Sequence, residues 1–216
     1  MILSRGRRYL FIHAPKTGGT SMALALEARA MKDDIMLGDT PKSAKRRRQL
    51  ESVQAAGRLW KHATLADLDG LVRAEELDDL FIFTMVRNPW DRMVSYYHWL
   101  RAQSFSHPSV KLAHEMEFSA FVAAPVIAQS FARSPAASYV TDACGQMRAD
   151  LFIRLEHLAR DIAPLEAHLG FSLDIPHVNR SDRAADYHAA YDAESRERVA
   201  QMCAADIVRF GYRFDT

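Results

Sequence analysis

The run Tyr9-Leu10-Phe11-Ile12-His13, followed by Ala14-Pro15-Lys16-Thr17-Gly18-Gly19-Thr20-Ser21, decides how this chain of 216 residues is read. The first five residues are a short, mostly apolar run. Pro15 and the Gly18-Gly19 pair then punctuate the chain, and Met22 to Ala28 is rich in helix formers. The pattern predicts a strand, a tight turn and a helix. A helix start leaves backbone N–H groups without carbonyl partners, so those of Gly18 to Ser21 can converge on a phosphate. Glycine permits the close approach, while Thr17, Thr20 and Ser21 add hydroxyl donors. Lys16 places positive charge where a phosphate-linked leaving group accumulates negative charge. The plain alternative is a turn with a capped helix.

The turn differs from the nucleoside-triphosphatase loop G-x-x-x-x-G-K-[ST], because its lysine precedes both glycines. A second strand-to-helix unit follows. Leu80 to Val86 is rich in apolar, β-branched and aromatic residues, and Asn88-Pro89 is placed to start a helix running through Trp90 to Arg101. Two such units predict an α/β chain with helices packed on a central parallel sheet, whose strand carboxyl ends are where ligands bind.

Elsewhere, Thr64 to Leu80 carries apolar residues at helical spacing, and Glu117 to Ala124 reads as a short helix ended by Pro125. Ala149 to Leu155 reads as another strand, Glu156 to Leu169 as a helix stopped by Gly170, and Ala193 to Phe210 as the last helix, ending at Gly211. With no internal repeat or linker, residues 1–216 are expected to form a single domain.

Hydrophobic residues make up 49% and charged residues 25% of the chain, a globular balance that excludes disordered and fibrous classes. The formal net charge is only +1, so no global field draws the protein to nucleic acid and any anion site is local. Cys144 and Cys203 form no C-x-x-C pair, which argues against a disulfide framework or zinc cage and fits a reducing compartment. The stretch after the amino-terminal arginines is broken by His13, Pro15 and Lys16, and no span approaches the ~20 apolar residues needed to cross a bilayer. A soluble, cytoplasmic chain is the expectation.

Arg87 at the end of the second strand suits a second phosphate, where magnesium-dependent phosphoryl transfer usually places a carboxylate to help hold the metal. Ser95 lies eight residues on, two helical turns away, so the two grip one phosphate only if the helix lies alongside it. The alternative is an Arg87–Asp91 pair at the helix start.

FIHAPKTGGTS (11–21) and FTMVRNPWDRMVSYY (83–97) resemble the two cofactor-binding signatures of sulfotransferases, especially the bacterial and carbohydrate-type family. The likeness continues through LFIRLEHLARDIAPLEAHLGF (151–171), IPHVNRSDR (175–183) and YDAESRERVAQMCAADIVRFGYRF (191–214), covering most of the chain. It implies a three-layer fold like that of the P-loop nucleoside triphosphatases. It also implies a metal-free transfer of a sulfuryl group from 3'-phosphoadenosine 5'-phosphosulfate to an acceptor hydroxyl, carbohydrate among the candidates, with adenosine 3',5'-bisphosphate as product. By the same resemblance Lys16 and the residues Thr17, Gly18, Gly19, Thr20 and Ser21 hold the 5'-phosphosulfate, and Arg87 with Ser95 holds the 3'-phosphate. Arg180, Ser181 and Arg183 fall in the segment similar to the family's later cofactor loop.

Such a transfer needs a base for the acceptor proton, and a neutral histidine suits that near pH ~7. Of nine histidines, His62 in Trp60-Lys61-His62 lies between the two signatures and resembles the histidine-bearing segment of carbohydrate-type relatives. His13 is expected to support the shape of the turn, and His177 matches the family pattern. His114-Glu115 does not complete H-E-x-x-H, because Phe118 stands in the second histidine's place, and no metal site is visible. The basic cluster Lys42, Lys45, Arg46, Arg47 and Arg48 reads as a solvated face or a contact for an anionic acceptor. Trp90, Tyr96, Tyr97 and Trp99 read as core or as a stacking platform. Two rivals stand beside this reading: a nucleotide-dependent kinase, and a non-catalytic nucleotide- or glycan-binding protein. Oligomeric state is left open.

Overall fold

Strand β1 (Ile2–Ser4), a turn, and β2 (Tyr9–Ile12) form the hairpin with which the fold begins. The computed structural model describes residues 1–46, 50, 53–176, 178 and 186–215. In chain order there follow α1 (Gly19–Ala28), β3 (Ile35–Met36), α2 (Pro41–Arg46), α3 (Ala74–Leu77), β4 (Phe81–Val86) and α4 (Pro89–Arg101). Next come α5 (Pro108–Glu115), α6 (Phe118–Ala123), α7 (Pro125–Ala132), α8 (Ala136–Tyr139), β5 (Leu151–Arg154), α9 (Leu158–Asp161), α10 (Ala163–Leu169), α11 (Ala193–Met202) and α12 (Ala204–Phe210). The chain divides into two compact units, Met1–Val86 with Ala136–Asn179 and Arg87–Pro135 with Arg180–Thr216.

The first unit is built on a sheet of order β3-β1-β2-β4-β5. β2, β4 and β5 pair in parallel, as the two strand-to-helix units require, while β1 runs antiparallel to both β2 and β3. The expected parallel sheet is thus its β2-β4-β5 part, extended on one side by the antiparallel β1 and β3. Alternation along the strands divides two cores. Leu10, Ile12 and Ile82 pack with Leu65, Leu68 and Leu77, whereas Tyr9, Phe11, Phe83 and Met85 pack with Met22 and Leu26 of α1 and Leu165 of α10. Stacking of Phe11 on Phe83, centroids 5.1 Å apart, adds about 0.5–1.5 kcal/mol beyond area burial. β4 is central and buried on both faces, which explains its continuous apolar run.

Thr64 to Leu80 is mostly irregular, with a 3₁₀ turn at Ala66–Leu68 and the four-residue α3. Its leucines are buried as their spacing suggests, but Gly70 at φ 91° turns the chain between them. Glu156 to Leu169 is likewise split into a 3₁₀ turn, α9 and α10, and Gly170 closes α10 in the left-handed region.

In the second unit Asn88 caps α4 by accepting the Trp90 N–H at 3.1 Å, with Pro89 at the first helical position. Trp90 and Tyr97 are core residues, and the partly buried Tyr96 and Trp99 pack against that core. Pro125 starts α7 as well as ending α6, and the expected last helix is two, α11 and α12, broken at Cys203.

Candidate functional site

In the first unit, the turn after β2 is held from within. Thr17, 2% exposed, donates its hydroxyl proton to the Ala14 carbonyl at 2.8 Å, so this hydroxyl braces the turn and its expected role as a phosphate donor falls to the backbone. Lys16 has φ 66°, a region that costs a non-glycine residue about 1–2 kcal/mol. Gly18, at φ 83°, is the N-cap of α1. That helix start has no side-chain cap and no acidic residue in its first turn. The N–H groups of Gly18 to Thr20 and the positive dipole end are therefore left to an anion, whereas the Ser21 N–H, expected to join them, bonds the Gly18 carbonyl at 3.0 Å.

Gly19 is where the turn meets the strand end. A Cβ built there would lie 2.1 Å from His13 Cδ2 and 2.4 Å from its Nε2. His13, 7% exposed, thus supports the turn by ring contact, as the sequence suggests. Gly19→Ala is expected to lower unfolding stability by about 1–3 kcal/mol through overpacking. The loss should shrink when His13 is also alanine; equal losses in both backgrounds, measured by denaturant unfolding, would refute the contact. Ser21 Oγ accepts the Val178 N–H at 3.4 Å, which leaves its own proton for a ligand, and Thr20 is half-buried in the first turn.

His62 is brought to the same place from the segment between β2 and β4. The Ala63 N–H bonds the Trp60 carbonyl at 3.1 Å, and Asp67 accepts from both the N–H and the hydroxyl of Thr64 at 2.8 Å, fixing the chain on either side. The His62 and His13 rings meet edge to face with centroids 4.7 Å apart. His62 Nδ1 lies 2.8 Å from the His13 carbonyl oxygen. A carbonyl only accepts, so Nδ1 carries the proton and Nε2 the lone pair. Burial lowers the His62 pKa to about 4, and burial also drives that of His13 well below its ordinary value. Both rings are neutral near pH ~7.

In the second unit Arg87 takes the alternative the sequence left open. Its Nε and a terminal nitrogen lie 2.8 and 2.6 Å from Asp91 Oδ2. A guanidinium has five donors, so this pair orients Arg87 without exhausting it. Ser95 is 4% exposed on α4. Arg180, Ser181, Arg183 and His177 lie outside the described residues, as do Arg47 and Arg48 of the basic cluster. Of the others, Lys42 donates to the Glu27 carbonyl, Arg46 to the carbonyls of Met31 and Asp34 at 2.8 and 3.0 Å, and Lys45 is exposed. These bonds tie α2 to the end of α1, and the solvated-face reading gains over acceptor contact.

Two residues that the sequence reading did not assign to the site also lie here. Trp60, 41% exposed, meets His62 edge to face with centroids 5.0 Å apart, and the Arg58 guanidinium sits 5.2 Å from the Trp60 ring centre. The signal was present in Trp60-Lys61-His62, an aromatic beside the candidate base. A hollow lined by Arg5, Leu71, Arg73, Glu75, Glu76 and Asp79 involves none of these residues, and its Arg5 is paired with Glu76. Among the described residues no cluster of His, Cys, Asp or Glu could hold a metal ion, and no helix is long and apolar enough to cross a membrane.

A model of the sulfotransferase family matches residues 1–213. Mouse sulfotransferase SULT7A1, solved in complex with PAP, is similar over 95% of this chain and 67% of its own, at 16% identity and a TM-score of 0.40. A sulfotransferase from Alicyclobacillus acidocaldarius is similar over 96% of this chain and 94% of its own, at 18% identity and a TM-score of 0.42. No curated protein matches the chain.

Proposed function

The chain belongs to the sulfotransferase family, and we propose that it moves a sulfuryl group from 3'-phosphoadenosine 5'-phosphosulfate to an acceptor hydroxyl, leaving adenosine 3',5'-bisphosphate. The observation that carries this reading is the uncapped start of α1, with Lys16 in its turn and a neutral His62 packed against the His13 that supports it. The donor supplies an activated sulfuryl group. Backbone N–H groups of Gly18 to Thr20 and the Ser21 hydroxyl hold its 5' end, and Arg87 and Ser95 take the 3'-phosphate. Arg180, Ser181 and Arg183 complete the proposed cofactor set through the family resemblance alone.

In the reaction the acceptor oxygen forms a bond to sulfur as the bond from sulfur to the phosphate oxygen breaks. His62 Nε2 receives the acceptor proton, while Lys16 stabilises the charge left on the phosphate oxygen. No step requires a metal. The two units are taken as parts of one catalytic domain, because the family match spans both. The unpaired thiols Cys144 and Cys203 suit a cytoplasmic setting.

Calorimetric titration tests the donor site. Adenosine 3',5'-bisphosphate should bind without magnesium and more tightly than adenosine 5'-monophosphate or ATP. Arg87→Ala should weaken it about ten- to a hundredfold, the worth of a charge-assisted hydrogen bond, with little change for the monophosphate. Preference for magnesium-ATP would make the protein a kinase instead, and an unchanged affinity in Arg87→Ala would remove that residue from the site.

A further inference from the structure

A row of packed groups leads from the anion-binding turn to the surface of the first unit. Gly19 lies against the buried His13, the His13 ring meets half-buried His62, and His62 meets exposed Trp60, over which Arg58 is set. Successive ring centroids are 4.7 and 5.0 Å apart, and the guanidinium is 5.2 Å from the last. An acceptor whose hydroxyl reaches His62 from solvent therefore has its remaining bulk beside Trp60.

From this arrangement we propose that Trp60 and Arg58 form the acceptor subsite, which takes a hydroxylated ring presenting an apolar face and carrying a carboxylate or similar anionic group. The inference rests on the assignment of His62 as base. Two features set the chemistry. A large indole is left accessible beside the base, where a flat ring face can stack on it. Arg58 is exposed and makes no ion pair among the described residues, so its charge is available to an anion at the rim of the ring. Neighbouring Lys61 is different: it is paired with Asp39 at 2.5 Å. Of the two cations flanking Trp60 in sequence, Arg58 is the one suited to recognise an acidic substituent.

An acidic sugar and a phenolic acid share this chemistry, and the test separates them. The protein saturated with adenosine 3',5'-bisphosphate is titrated with methyl glucuronide against methyl glucoside, and with 4-hydroxyphenylacetate against 4-hydroxyphenylethanol, following indole fluorescence. The acidic member of one pair should give a saturable change, absent in Trp60→Phe, and should bind up to about fivefold more tightly than its neutral partner. Arg58→Ala should abolish that preference and raise the acceptor KM while leaving affinity for adenosine 3',5'-bisphosphate within about twofold. The pair that responds identifies the acceptor as sugar or phenol.

Equal binding of acidic and neutral members, a fluorescence change that survives in Trp60→Phe, or no saturable change from any of the four compounds would overturn the subsite. Failure of adenosine 3',5'-bisphosphate to bind the unmodified protein would instead strike the sulfotransferase reading on which the subsite rests.

Discussion

Lys16→Ala should reduce kcat by about 10²–10³, the cost of removing one donor from a site of developing transition-state charge. The loss should fall more on kcat than on donor affinity, because the phosphate oxygen gains its charge only as the bond to sulfur breaks. Backbone and charge can be separated here. Lys16 holds φ 66°, so Lys16→Gly should raise unfolding stability by about 1 kcal/mol while remaining as inactive as the alanine variant. A conformational cost retained at a cation in the proposed anion-binding turn is what a functional constraint looks like. Near-normal turnover in folded Lys16→Ala would remove the lysine from the chemistry.

His62→Asn should lower kcat by about 10²–10⁴. Asparagine can keep a donor to the His13 carbonyl while losing the lone pair at Nε2, so the fold is preserved as the base is removed. The pH profile sharpens the test. The base is active when neutral, and burial lowers its pKa from 6.5 to about 4, so kcat/KM in the intact enzyme should stay level through 6.5 and fall only toward 4. Bound donor brings negative charge beside the ring and should raise the acid limb of kcat above that of kcat/KM. Stability follows the same direction. The unfolded chain binds the His62 proton more readily, so this contribution is complete above 6.5 and is lost as pH falls toward 4. At about pH 5 the His62 share is on the order of 1–2 kcal/mol, and His62→Asn should remove that share while leaving the one due to buried His13. An acid limb at the ordinary histidine value would show that His62 is solvated or is not the base.

The units around Gly18-Gly19 and Asn88-Pro89 were legible because their signals are local. Glycine freedom, a proline at a helix start and an apolar run flanked by punctuation act within a few residues of the atoms they control. Thr64 to Leu80 was harder, because Leu65, Leu68 and Leu77 are buried by tertiary contact with the sheet and their spacing mimics a helix that Gly70 interrupts. β1 and β3 were missed for a related reason: strands of three and two residues carry almost no periodicity, and pairing creates them. At the site, the Lys16 turn was readable in outline, but the inward Thr17 hydroxyl was not, since a threonine in a turn can donate either way. Arg87 shows the same limit, as sequence spacing offered Asp91 and a phosphate equally and only the side-chain geometry records the pair.

The crossover that carries His62 also bears on how the enzyme comes into being. β1 and β2 pair across a four-residue turn, a contact that can form early, whereas Phe11 aligns with Phe83 only after the whole intervening chain has closed. The anion-binding turn belongs to the near side of that closure, and the proposed base belongs to the loop itself. In a nascent chain the segment of the proposed phosphate turn is complete early, while the proposed proton acceptor is brought to it only with the long-range assembly of the sheet. Activity is therefore expected only once β4 has joined β2, because the proposed base lies within that closure and Arg87 and Ser95, proposed for the 3'-phosphate, follow β4 in the chain.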